Sequence, residues 1–181
     1  MPRYFIAILP PTNISHDVLS FQQQIEQEFQ AVHAQKVPPH ITIIPPFESD
    51  KEKLELFIHK LNVFLNEQKE QAIEIQLSGF QHFANRTLFV AVAKNVAFET
   101  FCKALKLLFN QQKIIKQRDE KHFFIPHLTI ANKDLKKRDF KTAWKYFKNM
   151  NYEGNFKLNA ISILQHDGEK WNTFKSINFD K

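Results

Sequence analysis

The sequence predicts an α/β chain of the α+β kind, built from two pseudo-symmetric lobes that each carry a strand-helix-strand unit. Three observations predict it. Pro39-His40-Ile41-Thr42-Ile43 and Pro126-His127-Leu128-Thr129-Ile130 are near copies of one another. Each follows a strand pattern and then a helix pattern, with 34 residues from Ile6 to His40 and 38 from Phe89 to His127. A single duplication of this length gives a two-lobed molecule rather than a solenoid, which needs at least three stacked repeats. No linker or low-complexity run divides the 181 residues, so one domain over 1–181 is expected, with its units at about 3–47 and 86–133.

The elements follow from periodicity. Arg3 to Leu9 reads as a buried strand, and a helix from about Ser15 follows, with Val18, Phe21, Ile25, Phe29 and Val32 on one face. A loop through Lys36 leads into the first His-Thr strand. Ser49 and Glu52 form a capping-box pair that opens a second helix, whose inner face is Leu54, Phe57, Ile58, Leu61 and Leu65. Ile73, Ile75 and Leu77 then alternate with Glu74, Gln76 and Ser78, the pattern of a half-buried strand. In the second half, Leu88 to Ala93 is a strand and Asn95 a helix cap. Phe98, Phe101, Cys102, Leu105, Leu108 and Phe109 form the next helix stripe, which precedes the second His-Thr strand. A fourth helix runs from Leu135 to about Lys148, and a hairpin around Asp167-Gly168 closes the chain.

Composition narrows the class. With 43% hydrophobic residues and 19 Phe there is ample material for a core. Cys102 is the only cysteine, which excludes a disulfide framework, and nothing in the sequence suggests a cysteine-based metal site. The stretch ahead of Pro10-Pro11 is too short for a signal segment, and no run approaches the ~18 apolar residues of a membrane span. A soluble, cytoplasmic chain without a membrane partner is expected, as a monomer. The net charge of +6 suits a polyanionic partner, although lysines also keep a surface soluble.

In extended backbone, residues i and i+2 share a face, so each motif sets a His beside a Thr while its apolar residues face the other way. One such match arises by chance in roughly one chain of this size in several hundred, and two are far rarer. Packing the units about a pseudo-twofold axis sets His40 and His127 across a cleft. Histidine alone serves as base or acid near neutral pH. One imidazole can take a proton from water or a ribose hydroxyl while the other protonates a leaving oxygen. Thr42 and Thr129 can donate to the non-bridging oxygens, which makes a phosphodiester the natural substrate.

The paired elements, with Tyr4 to Pro10, PPHITIIPPF, GFQHFANRTLFVAV and FIPHLTIANK, resemble the two-histidine (2H) phosphoesterase superfamily. Within it they resemble the bacterial 2'-5' RNA ligase/cyclic phosphodiesterase-like branch. The resemblance implies a bilobal fold with mixed or antiparallel sheets around a central cleft, helices on the outer faces, no cofactor and no metal. It implies catalysis by both histidines on RNA ends carrying a 2',3'-cyclic phosphate, on 2'-5' linkages or on cyclic nucleotides. His40 would protonate the leaving 3'-oxygen and His127 activate water, giving a 2'-phosphate. Two departures stand out. Ala131-Asn132-Lys133 lies where many relatives carry Arg, and Pro45-Pro46-Phe47 replaces a Gly-containing turn.

Other residues carry weaker signals. Phe80, Phe83 and Phe124 lie near the motifs; core packing is the simpler reading in a Phe-rich chain, with Phe83 and Phe124 kept as base-stacking candidates. Arg86 and Lys133 are candidate phosphate contacts. Lys136, Lys137, Arg138, Lys141, Lys145 and Lys148 read as a solvated helix face before an RNA-tracking one. His16, His33, His59, His82, His122 and His166 show no metal spacing and read as surface or locally bonded side chains. The rival function is a nucleotide- or RNA-binding module using the same cleft without turnover. Two facing acid-base groups argue against it. A metal-dependent hydrolase lacks a third ligand at the right spacing.

Overall fold

In a computed structural model the chain is described over residues 1–68, 72–112 and 125–179. The elements are β1 (Arg3–Ile8), α1 (Thr12–Phe29), a 3-10 turn (His33–Lys36), β2 (Ile41–Glu48), α2 (Lys51–Gln68), β3 (Glu74–Phe83) and β4 (Thr87–Val92). The chain continues through α3 (Val96–Gln111), β5 (His127–Ala131), α4 (Lys137–Phe147), β6 (Glu153–Lys157), β7 (Ala160–His166) and β8 (Trp171–Asn178). The α+β class holds, and of the mixed or antiparallel arrangements expected the antiparallel one is found, as a single sheet ordered β6-β3-β4-β5-β2-β1-β7-β8 with every neighbour antiparallel. The reason lies in the return path. Ile8 at the end of β1 pairs with Ile41 at the start of β2, and Ala91 in β4 pairs with His127 at the start of β5. In both cases the second strand starts at the end where the first one finishes.

Strand alternation sorts the two faces. Tyr4, Ile6 and Ile8 enter the main core with the helices, whereas Phe5 and Ala7 form a small cluster with Leu164 on the opposite face. The helices are exchanged between units. Phe21 of α1 packs on Phe80 at 5.1 Å and Tyr152 at 5.2 Å, beneath the strands of the second unit. Phe109 of α3 packs on Phe47 of β2 at 4.7 Å and on Phe57 of α2 at 5.2 Å. Each lobe therefore borrows its apolar cover from the other, so neither buries its core alone.

Several boundaries move. The first helix begins at Thr12, directly after Pro11, whose fixed φ of -62° suits the position before the first turn. The cap of α2 is Asp50 rather than Ser49: the Lys53 N–H donates to Asp50 Oδ1 at 2.8 Å. Ser49 is held by the chain start instead, its N–H donating to the Pro2 carbonyl at 3.3 Å. Asn95 caps α3 as expected, accepting the Phe98 N–H at 3.1 Å. The closing hairpin turns where Asp167 Oδ1 accepts the N–H groups of Glu169 and Lys170, both at 2.9 Å, with Gly168 at φ 113°. The loop expected through Lys36 contains the 3-10 turn, and α4 starts at Lys137. The basic residues of the fourth-helix segment, Lys136 to Lys148, are all exposed.

Candidate active site

The lobes meet at one rung, where Ile41 of β2 pairs with Leu128 of β5. These are the central residues of the two His-x-Thr elements. Because the pairing is antiparallel, the register sets His40 across from Thr129 and Thr42 across from His127. Ile41 and Leu128 are fully buried toward the helices, so the four polar side chains fall on the other face. The duplication thus produces a diagonal of imidazoles and a crossed diagonal of hydroxyls. Among the described residues neither threonine hydroxyl has a hydrogen-bond partner, and both remain available as donors.

Both imidazoles are held in the same way. His40 Nδ1 bonds the Pro38 carbonyl at 2.8 Å, and His127 Nδ1 bonds the Ile125 carbonyl at 2.7 Å. A carbonyl only accepts, so Nδ1 carries the proton in the neutral ring and Nε2 is left for chemistry. Phe5 packs on His40 at 4.9 Å; Phe83 and Phe89 pack on His127 at 4.9 and 4.8 Å. Burial pushes His40 down to about 4, helped by the charge of His127 and opposed by the Pro38 carbonyl. Burial also lowers His127 below its ordinary 6.5, with the Ile125 carbonyl opposing. In the ligand-free cleft both rings are neutral at pH 7. An anion seated between them would draw the imidazolium pKa values back up.

A cavity of about 480 Å³ opens beside this arrangement. Of the residues singled out from the sequence, His40, Thr42, Thr129 and Lys133 line it. His127 is not part of that lining but lies close enough for its charge to lower His40. Phe83 also lies outside the lining and acts as an edge-on support for His127. Arg86 is exposed in the turn between β3 and β4, away from the cavity lining. Phe124 and His122 fall outside the described residues.

The lining also contains groups that sequence reasoning missed. Arg3, stacked at 5.5 Å over Trp171, and Lys36 add cations, while Gln22 reaches in from α1. His33 and His166, expected as surface or locally bonded side chains, line the cavity as well, and His166 Nδ1 accepts the Gly168 N–H at 3.1 Å. His33 is lowered first by burial, then by Lys133, with Lys36 adding and Asp134 opposing. One clamp brings His33 and Lys133 together. Asp134 Oδ2 accepts the N–H groups of Val32 and His33, both at 2.7 Å, tying the turn after the second motif to the turn before the first. Lys133 stands in that turn at φ 32°, a left-handed conformation that costs a non-glycine residue about 1–2 kcal/mol. Of these groups only Gln22 left a readable trace in the sequence: it is a polar residue in the buried stripe Ile14, Val18, Gln22, Ile25.

Among the described residues no three His, Cys, Asp or Glu side chains gather as metal ligands, and no helix is long and apolar enough to cross a membrane. The Cys102 thiol is buried and pushed up to about 12, which leaves it unreactive.

Residues 10–170 match the family model of the 2'-5' RNA ligase superfamily. Two curated relatives carry phosphoesterase names that give no substrate. One, from Bacillus cytotoxicus, is 26% identical and covers 82% of this chain and 83% of its own. The other, from Staphylococcus epidermidis, is 25% identical with 95% and 96% coverage. In fold the chain is similar to TT0787 of Thermus thermophilus, with a TM-score of 0.69, 13% identity and 98% and 97% coverage. It is similar also to E. coli LigT, solved in complex with 3'-AMP, with a TM-score of 0.67, 12% identity and 99% of each chain covered. The crossed His-Thr rung, the exchanged helices and the match over most of the chain place this protein in the 2'-5' RNA ligase superfamily, the 2H phosphoesterases.

Proposed function

We propose that the protein is a phosphodiesterase that opens 2',3'-cyclic phosphate ends of RNA, or cleaves 2'-5' linkages, by paired histidine acid-base catalysis without a metal. One observation carries this reading. Each imidazole spends Nδ1 on the carbonyl two residues before it and keeps Nε2 free, on either side of a rung that also presents two unpaired threonine hydroxyls. A binding module needs neither the fixed tautomer nor its duplication.

For a cyclic phosphate, His127 Nε2 takes a proton from water as the water oxygen bonds to phosphorus. The bond from phosphorus to the 3'-oxygen breaks, and that oxygen takes the proton held on His40 Nε2. The product is a 2'-phosphate with a free 3'-hydroxyl. Thr42 and Thr129 donate to the non-bridging oxygens, whose charge grows toward the transition state. His40 is neutral in the empty cleft, so its proton arrives with the substrate anion that stabilises it.

The test is to incubate the protein with nucleoside 2',3'-cyclic monophosphates and with an oligoribonucleotide ending in a cyclic phosphate, with and without EDTA, and to identify the products. A 2'-phosphate formed equally well in EDTA is expected. A 3'-phosphate would exchange the roles of the histidines. Binding without turnover would leave the rival reading, a nucleotide-binding module.

A further inference from the structure

Gln22 is the polar member of the buried stripe of α1, among Ile14, Val18 and Ile25. The residue is 2% exposed, yet it lines the cavity that holds His40, Thr42 and Thr129. Nε2 donates to the Thr129 carbonyl at 3.0 Å. That acceptor fixes which end of the amide is which, because a carbonyl oxygen cannot donate. Oε1 is left buried with no hydrogen-bond partner among the described residues. Folds rarely keep such an orphan, and an apolar residue at this position would have completed the helix stripe.

An amide oxygen only accepts, so the group that completes it is a donor. A phosphodiester offers acceptors alone; a hydroxyl fits. Amide geometry sets Oε1 within about 5 Å of the Thr129 carbonyl oxygen, whose 3.0 Å bond to Nε2 anchors the side chain. Thr129 also supplies one of the hydroxyls directed at the phosphate. The partner of Oε1 therefore belongs to the part of the ligand joined directly to phosphorus, which is the sugar rather than the base.

We propose that Gln22 Oε1 accepts a hydrogen bond from the free ribose hydroxyl adjacent to the phosphate, and so selects ribonucleotides. The inference rests on reading the cleft as a phosphodiester site. In a 2'-5' linkage or a 2'-phosphate the donor is the free 3'-hydroxyl. In a 2',3'-cyclic phosphate no such donor exists until the ring opens. The hydrogen bond then forms as the 3'-oxygen leaves phosphorus and takes the proton from His40, so it favours the opening over the bound ring.

Titration calorimetry with two named probes tests this: adenosine 2'-monophosphate and its 3'-deoxy analogue, against the wild type and Gln22→Met. Wild type is expected to prefer the 3'-hydroxyl about tenfold, and Gln22→Met to bind the two alike. A wild type that binds both equally overturns the proposal, and this arm stands even if the variant fails to fold. A variant that keeps the preference overturns it too, and if that variant also turns over slowly, the amide holds the attacking water instead. Failure of wild type to bind either nucleotide removes the reading of the cleft itself, whereas binding without discrimination removes only the role of Gln22.

Discussion

The two halves of the molecule share a motif and differ in what surrounds it. In the first lobe Ala7 lies opposite Thr42; in the second Phe89 lies opposite Thr129. Phe5, which lines the cavity, packs on His40, whereas Phe83 and Phe89, outside that lining, pack around His127. Both imidazoles keep the same backbone bond, yet His40 falls to about 4 and carries the repulsion of His127 in addition to its burial. Burial thus acts unequally on two imidazoles that keep the same backbone bond. The duplication supplied two equivalent groups, and the packing around them made them unlike.

The comparison breaks most visibly if either half is dispensable. His40→Ala and His127→Ala are each expected to lower kcat/KM on a cyclic phosphodiester by at least about 100-fold. Unchanged circular dichroism would confirm folded variants, and wild-type turnover in either would leave one motif without a catalytic role. The next effect is thermodynamic. An unfolded imidazole binds a proton below about 6.5, whereas folded His40 resists it until about 4, so stability is full above 6.5 and drains as pH falls toward 4. The loss from His40 is on the order of 3 kcal/mol, and His127 adds in the same direction. Urea midpoints at pH 7, 5.5 and 4.5 would measure it, with His40→Asn expected to flatten the dependence more than His127→Asn; equal slopes would make the two halves electrostatically alike.

Smaller effects sharpen the same contrast. Thr42→Val and Thr129→Val are each expected to lower kcat by about ten- to a hundredfold, since each removes one donor to the developing charge. Loss confined to KM would make the hydroxyls binding groups only. Smallest is the cation contrast: Lys133→Ala is expected to raise KM a few-fold, in a salt-dependent way, while Arg86→Ala leaves it unchanged. An effect of Arg86 equal to that of Lys133 would move the substrate path away from the cavity.

Much of this was legible in the chain, for reasons that also set the limit. His40, Thr42, His127 and Thr129 could be picked out because period-2 spacing fixes a shared face locally and because the motif occurs twice. The helix stripes were readable because buried positions repeat at 3.6. Sheet order was not, since it depends on where each helix returns the chain, and β6 carries no alternating apolar pattern because one of its two half-buried positions is Gly154 and only Phe156 supplies an apolar side chain. Ser49 spends its hydroxyl on the Asp50 carbonyl and its N–H on the distant Pro2 carbonyl, and Asp50 caps the helix instead. Arg3, Lys36 and Trp171 reach the cavity through the β7–β8 hairpin and the Asp134 clamp, contacts between residues far apart in sequence. Gln22 interrupts the buried stripe Ile14, Val18, Ile25 with a polar residue, but a stripe drawn through Phe21 passes it by, and its meaning needs the Thr129 carbonyl beside it.

The pH dependence of kcat/KM for wild type, His40→Ala and His127→Ala tests the central claim most directly. Reference values would set a bell across about pH 5 to 8. Burial shifts both free-enzyme imidazoles downward, so the bell is expected on the acid side, between the His40 value of about 4 and the ordinary 6.5 that His127 falls below. His40→Ala should keep only the rise with pH that marks a base losing its proton. His127→Ala should keep only the fall that marks an acid losing its charge. Bells surviving in both variants, or a flat wild-type profile across this range, would contradict paired acid-base catalysis by the two halves.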